Sequence, residues 1–209
     1  MQRNNKFDAV ILANGDYPTA EIPLEILKNG SYIVCCDGSA DRYISEGNIP
    51  NIIIGDGDSI SIDNKELYKH LIVVDSDQET NDQTKAIKFL LSKGLRNIAI
   101  VGATGKRDDH SLGNIALLTE YTNMGANIMT FTDYGVFIPC QNCKEFDCVA
   151  GAQVSIFNIN ATEFSSEGLK YPIYDFKYWW QGTLNESLTG HFKIEAKGEY
   201  IIFITYNRK

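Results

Sequence analysis

The stretch Ile52–Ser59, which reads IIIGDGDS, decides the fold of this 209-residue chain. Its three consecutive isoleucines predict a strand buried on both faces, as in a parallel sheet covered by helices. The glycines that follow let the backbone turn and come close to a ligand. Asp56 and Asp58 stand at i and i+2 of an extended segment, so both side chains point the same way and can reach one cation. On its own, the string also fits an ordinary Asp/Gly turn after a strand.

The same pattern of a short apolar run and a polar loop recurs on both sides of this stretch. The predicted strands are Ala9–Leu12, Tyr32–Cys36, Ile52–Ile54, Leu71–Val74, Ile98–Val101 and Ile128–Phe131. Two predicted helices, Asn81–Lys93 and Ser111–Met124, lie between strands, and each is followed by a glycine. This alternation predicts an α/β fold with a parallel sheet. Because ligands collect at the carboxyl ends of such strands, we expect the polar loops to converge on one site.

After about Phe137 the sequence changes to short, aromatic, alternating runs. Gln153–Asn158, His191–Ala196 and Tyr200–Tyr206 are typical of antiparallel strands. We therefore predict two domains, residues 1–136 and residues 137–209. The second is small for a free-standing fold, so we expect it to pack on its neighbour or on a second subunit.

Composition narrows the class of protein. The chain carries 19 basic and 27 acidic residues and has a net charge of −8, without the basic face expected of a nucleic-acid binder. No leader opens it and no apolar run approaches the roughly 20 residues of a membrane span, so we expect a cytoplasmic protein without membrane contact. Cys140 and Cys143 have metal-ligand spacing, but no second pair follows. The odd count of five cysteines favours free thiols in a reducing compartment.

Two further acidic segments allow two interpretations each. Asp37 follows an apolar run; with the backbone N–H of Gly38 it could bind a cation and a phosphate, or it could only cap the next helix. Asp82 and Lys85 share one face of a helical first turn. They are either a surface ion pair or a metal-binding carboxylate beside a phosphate-seeking ammonium, with Gln78 nearby as a hydrogen-bonding group.

The loop after the fifth predicted strand, residues 102–110, reads GATGKRDDH. Gly102 and Gly105 free the backbone, Lys106 and Arg107 can clamp phosphate, and the next helix presents its N-terminus. The loop lacks the spacing of a Walker A motif. The lone His110 could be structural or could contact a ligand.

Electrostatics links these acidic loops to magnesium. An uncompensated carboxylate about 4 Å from a phosphate oxygen costs on the order of 4 kcal/mol at an effective dielectric constant near 20. Mg²⁺ reverses the sign, because it favours carboxylates together with phosphate oxygens. If a polyphosphate binds here, Mg²⁺ must bind with it.

In this order, the motifs resemble the thiamine pyrophosphokinase (thiamine diphosphokinase) family. They are DGSA (37–40), GDGDS (55–59), DQ…D…K (77–85), GKRDDH (105–110), GLKYP (168–172) and GTLNE (182–186). Three residues depart from the family pattern: Asn81 replaces Thr, Lys106 replaces Gly and Leu184 replaces Ser. The resemblance implies an α/β Rossmann-like nucleotide-binding domain followed by a small antiparallel β-sandwich domain. It also implies a homodimer with active sites at the subunit interface.

The implied activity is transfer of diphosphate from ATP to the hydroxyl of thiamine, giving thiamine diphosphate and AMP. The metal ligands implied for Mg²⁺ are Asp37, Asp56, Asp58 and Asp82. The implied catalytic residues are Asp58, Asp82, Lys85 and Arg107. The implied ATP-binding residues are Asp37, Gly38, Gln78, Gly102, Thr104, Gly105, Arg107, Asp109 and His110. Asn185 is the implied thiamine-binding residue.

Two other functions stay open at this point. An Asp-x-Asp metal site also serves Mg²⁺-dependent phosphatases and nucleotidyltransferases. Lys106 and Leu184 also fit a thiamine- or nucleotide-binding regulator without catalysis.

Overall fold

The computed structural model describes residues 6–77 and 79–208. Within these residues the chain divides into two compact units, 6–133 and 134–208. The division falls slightly before the boundary predicted between residues 136 and 137. Among the described residues, no helix combines the length and the apolar character needed to cross a bilayer.

The first unit contains a six-stranded parallel sheet, which confirms the predicted strands. They are β1 Ala9–Leu12, β2 Ile33–Cys36, β3 Ile52–Gly55, β4 Ile72–Val74, β5 Asn97–Val101 and β6 Asn127–Phe131. Their order is β6-β5-β1-β2-β3-β4, and all neighbours run parallel. The order reverses at β1, which lies between β2 and β5. Such a switch point opens a crevice beyond the carboxyl ends of the strands.

Within the part of the chain that the structure describes, six α-helices connect these strands. They are α1 Glu21–Asn29, α2 Ser39–Ser45, α3 Ile62–Leu67, α4 Asp82–Ser92, α5 Asp108–Ala116 and α6 Leu118–Asn123. The prediction for α4 is confirmed, with Asn81 as its N-cap accepting from the Thr84 N–H. The single helix predicted from Ser111 to Met124 is wrong in two respects, because it begins at Asp108 and divides at Leu117. Acidic side chains in its first turn favour the earlier start through the helix dipole.

The second unit contains two antiparallel sheets. Its strands are β7 Gly135–Gln141, β8 Lys144–Asp147, β9 Ala152–Asn158, β10 Thr162–Glu167, β11 Asn185–Glu186, β12 His191–Lys197 and β13 Glu199–Arg208. One sheet contains β11-β9-β13-β7 in that order and the other β10-β12-β8. The ring of Phe164 in β10 meets that of Tyr200 in β13, with centroids 5.5 Å apart, so aromatic side chains join the sheets. This is the expected small β-sandwich.

Candidate active site

Asp37 lies directly after β2, at a backbone φ of 39° that is unusual for a residue other than glycine. Its side chain is buried, and its Oδ2 accepts a hydrogen bond from the Ser59 N–H at 3.0 Å. Helix α2 has no side-chain cap, and Gly38 occupies its N-cap position. The interpretation of Asp37 as only a helix cap is therefore wrong, because its carboxylate binds the loop after β3 instead.

Asp56 and Asp58, in the loop after β3, complete an acidic cluster with Asp37. One carboxylate oxygen from each residue lies within 4.8 Å of the other two. The Asp58 N–H donates to Asp56 Oδ1 at 3.2 Å, and Asp58 Oδ1 accepts from Ser59 Oγ at 2.8 Å. The hydrogen bond from Ser59 lowers the pKa of Asp58.

The donor set of this cluster fits a hard divalent cation. Asp37 Oδ1 is buried and has no hydrogen-bond partner among the described residues. Burial raises the pKa of Asp37, and the hydrogen bond from Ser59 only partly offsets that effect. Three carboxylates so close together repel one another unless a cation lies between them. Since every donor is a carboxylate oxygen, Mg²⁺ fits better than a metal that prefers nitrogen or sulfur ligands.

Asp82 and Lys85 lie beside this cluster in the first turn of α4. Asp82 Oδ2 lies 3.3 Å from the position that a Cβ on Gly55 would occupy, and Asp37 Cβ lies 2.7 Å from it. A glycine at 55 thus lets both aspartates pack against the end of β3. The carboxylate of Asp82 is not among the three that lie within 4.8 Å of one another, so Asp82 lies at the edge of the cluster.

The Lys85 ammonium is buried, with its side chain 4% exposed, and lies 3.3 Å from Asp82 Oδ1. Burial raises the pKa of Asp82, while Lys85 acts in the opposite direction. A surface ion pair is therefore the wrong interpretation of these two residues. A buried ammonium beside a carboxylate can also attract an anionic ligand that enters the site.

The loop after β5 is shaped by left-handed backbone positions. Gly105 has a φ of 88°, and a Cβ there would lie 2.0 Å from Asp16 Oδ2. Lys106 follows at a φ of 57°, and its ammonium donates to Asn14 Oδ1 at 2.9 Å. Gly102 is also left-handed, and the half-buried Thr104 accepts the Asp16 N–H through its carbonyl oxygen.

Arg107, Asp109 and His110 lie on the exposed side of this loop. The Arg107 guanidinium binds Asp109 through two hydrogen bonds, which lowers the pKa of Asp109. Arg107 therefore pairs with its neighbour Asp109, and among the described residues no ion pair joins it to the acidic cluster. His110 is exposed in the first turn of α5. Gln78 lies outside the described residues.

A cavity of about 290 Å³ opens at the switch point of the sheet. Its polar lining comes from the loop after β1, from α2 and from the loop after β5, through Asn14, Asp16, Tyr17, Ser39, Arg42 and Lys106. The Arg42 guanidinium lies 5.4 Å from the centroid of the Tyr17 ring. Sequence reasoning missed the residues at 14–17. Their position directly after a buried strand was the signal that could have found them.

Two protein-family models match this chain. Residues 24–130 match the family model described as thiamin pyrophosphokinase, catalytic domain, and residues 135–203 match the substrate-binding domain. The chain belongs to the thiamin pyrophosphokinase family.

Two rice proteins from this family (Oryza sativa subsp. japonica) are relatives in sequence. Thiamine pyrophosphokinase 1 is 31% identical over 130 residues, which cover 50% of this chain and 49% of the relative. Thiamine pyrophosphokinase 3 is 32% identical over 115 residues, covering 43% of each chain. The matched region thus spans about half the length of these curated relatives.

Solved structures of the thiamin pyrophosphokinase family share the fold. The Bacillus subtilis enzyme superposes with a TM-score of 0.79 at 20% identity, covering 95% of this chain and 99% of that one. The Candida albicans enzyme gives 0.75 at 20% identity, covering 95% and 90%. At this identity, the likeness shows the fold alone.

In the segment that matches the substrate-binding domain, the side chain of Asn185 forms hydrogen bonds to the backbone of its own domain. It is buried, its Nδ2 donates to the Tyr171 carbonyl at 2.9 Å, and its Oδ1 accepts the N–H groups of Tyr171 and Glu186. These bonds tie the segment at Tyr171 to β11. The neighbouring Leu184 is exposed at a φ of 65°.

Proposed function

We propose that this chain is a thiamine pyrophosphokinase, which transfers diphosphate from ATP to the hydroxyl of thiamine and releases AMP. The observation that carries the proposal is the convergence of Asp37, Asp56 and Asp58 at the carboxyl edge of the parallel sheet. This cluster lies within the segment that matches the catalytic-domain model.

The acidic cluster, with Asp82 at its edge, holds Mg²⁺ in this proposal. When bound, Mg²⁺ would offset the repulsion between these carboxylates and the polyphosphate of ATP. The buried, unpartnered oxygen of Asp37 supports this assignment.

The cavity and the loop after β5 bind ATP in the same proposal. The ATP-binding residues are Asp37, Gly38, Gln78, Gly102, Thr104, Gly105, Arg107, Asp109 and His110. To them we add Asn14 and Lys106, because both line the cavity. Arg107 would exchange its exposed bonds with Asp109 for a phosphate oxygen.

The reaction follows from these placements. The thiamine hydroxyl oxygen forms a bond to the β-phosphorus of ATP, and the bond from that phosphorus to the oxygen bridging to the α-phosphorus breaks. That bridging oxygen leaves with AMP, and the hydroxyl proton passes to a carboxylate of the cluster. Lys85 and Arg107 neutralise the charge that develops, as expected where positioning and electrostatics dominate phosphoryl transfer.

The second unit binds thiamine in this proposal and mediates formation of a homodimer. Asn185 takes part by holding the Tyr171 segment in place. The exposed aromatic rings of Tyr174, Tyr178 and Trp180 support an interface, since aromatic side chains are enriched at such surfaces. The five free thiols support a reducing, cytoplasmic location.

Incubation with ATP, Mg²⁺ and thiamine, followed by chromatographic separation of the products, tests the activity. The proposal predicts that AMP and thiamine diphosphate form in equal amounts. ADP or inorganic phosphate in their place would indicate a different kinase or a phosphatase. Binding of both substrates without turnover would indicate a regulator.

A further inference from the structure

Lys65, in α3, contacts the acidic loop from the side. Its ammonium donates to the Gly57 carbonyl at 2.5 Å, between the two aspartates of that loop. Gly57 has a φ of 75°, and a Cβ there would lie 3.3 Å from the Lys65 nitrogen. A glycine therefore provides both the turn and the space for the ammonium.

Asp41 fixes the helix that carries Lys65. Its carboxylate accepts the Ser61 N–H and the Ser61 hydroxyl at 2.8 Å each, and the Asn64 amide at 2.7 Å. Ser61 is itself the N-cap of α3. Because Asp41 lies in α2, one turn after Asp37, these bonds tie the start of α3 to the helix that follows Asp37.

We propose that Lys65 is a positioning residue for the metal-binding loop, with Asp41 as its support. Before a cation binds, the clustered carboxylates repel one another, and Asp56 and Asp58 are exposed on a loop with a glycine at its centre. The bond from Lys65 to the Gly57 carbonyl holds this loop against Asp37 without occupying any carboxylate oxygen. The ligands are thus arranged before Mg²⁺ arrives, which lowers the cost of organising the site.

This inference deepens the proposed function and rests on it for the identity of the metal. It states that, without metal, the conformation of the loop that carries Asp56 and Asp58 depends on Lys65 and Asp41. The conformation of this loop can be measured without turnover. A failure of this inference can therefore be distinguished from a failure of the proposed activity.

The test is amide hydrogen exchange in the metal-free, full-length protein. Two amides report on the loop, because the Asp58 N–H is bonded to Asp56 and the Ser59 N–H to Asp37. Lys65→Met, which keeps the side-chain length and removes the donor, should accelerate exchange at both amides by about tenfold. Lys65→Arg, which keeps a cationic donor, should restore most of the protection.

Two further variants make the test specific. Asp41→Ala should accelerate the same amides, because α3 loses its attachment to α2. Lys69→Met is the matched control, since Lys69 is exposed, pairs with Glu66 and should leave exchange unchanged. Wild-type exchange in Lys65→Met, or equal acceleration in Lys69→Met, would overturn the proposal.

Discussion

The backbone N–H of Ser59 donates to Asp37 Oδ2 at 3.0 Å and so ties the loop after β3 to the end of β2. The other carboxylate oxygen of Asp37, Oδ1, is buried and has no hydrogen-bond partner among the described residues. A buried carboxylate oxygen with no donor is costly in a protein interior. The cost is understandable if the oxygen is a ligand for a cation, because backbone strain and unpaired polar groups concentrate at functional sites.

The first prediction concerns Asp37→Asn, which should stabilise the metal-free protein by roughly 0.5–2 kcal/mol at pH 7. Burial raises the pKa of Asp37, so above that pKa the ionised carboxylate destabilises the folded protein relative to the unfolded one. The cost disappears as the pH falls through the raised pKa, so the gain of the variant should shrink on acidification. Urea denaturation over a pH series measures this. Equal stability of the two proteins at pH 7 would contradict it.

Asp58→Asn should reduce turnover by at least about 100-fold, which corresponds to about 2.7 kcal/mol of activation free energy. The reason is loss of one charged carboxylate from the proposed Mg²⁺ site, while the exposed position of Asp58 leaves folding little changed. Steady-state kinetics with circular dichroism as a folding check measures both effects. Asp63→Asn, at an exposed position in α3, is the matched control and should retain turnover. Near-normal activity of Asp58→Asn would show that this residue does not belong to the proposed metal site.

Lys106→Met should raise the KM for ATP by about five- to tenfold with little change in kcat. The Lys106 ammonium lines the cavity and is held by Asn14, so it can contribute charge to ATP binding without touching the reacting atoms. Initial rates at varied ATP concentration measure the effect. The exposed Lys28→Met is the control for a general loss of positive charge. An unchanged KM for ATP would show that the cavity does not bind ATP.

Asn185→Ala should destabilise the second unit by roughly 2–4 kcal/mol, because it breaks the bonds to Tyr171 and Glu186 and leaves buried polar groups unpaired. Both tryptophans lie in this unit, so tryptophan fluorescence during urea denaturation follows its unfolding. Asn207→Ala, at an exposed position in β13, should have little effect. If Asn185→Ala weakens thiamine binding at unchanged stability, Asn185 is a direct ligand contact instead.

The sequence was sufficient for the elements that local pattern determines. The strands of the first unit are continuous apolar runs, and α4 has apolar residues at helical spacing and ends before Gly94. The acidic loops were also recognisable, because each follows such a run directly.

The remaining features depend on contacts between distant residues. The function of Asp37 could not be decided from its neighbours, because its partner Ser59 is 22 residues away. Lys106 donates a hydrogen bond to Asn14, which lies 92 residues earlier in the chain. The sequence alone therefore did not indicate that the loop after β1 lines the cavity. Arg107 shows a different limit of sequence patterns. It lies in the loop proposed to bind phosphate, yet its guanidinium forms an ion pair with the nearby Asp109.

The most direct test of the account is a crystal structure with Mn²⁺ in place of Mg²⁺ and a non-hydrolysable ATP analogue, with anomalous diffraction locating the metal. The account predicts a peak within coordination distance of oxygens from Asp37, Asp56 and Asp58, with the triphosphate bound to the same ion. A peak elsewhere, or a nucleotide bound away from this cluster, would contradict it.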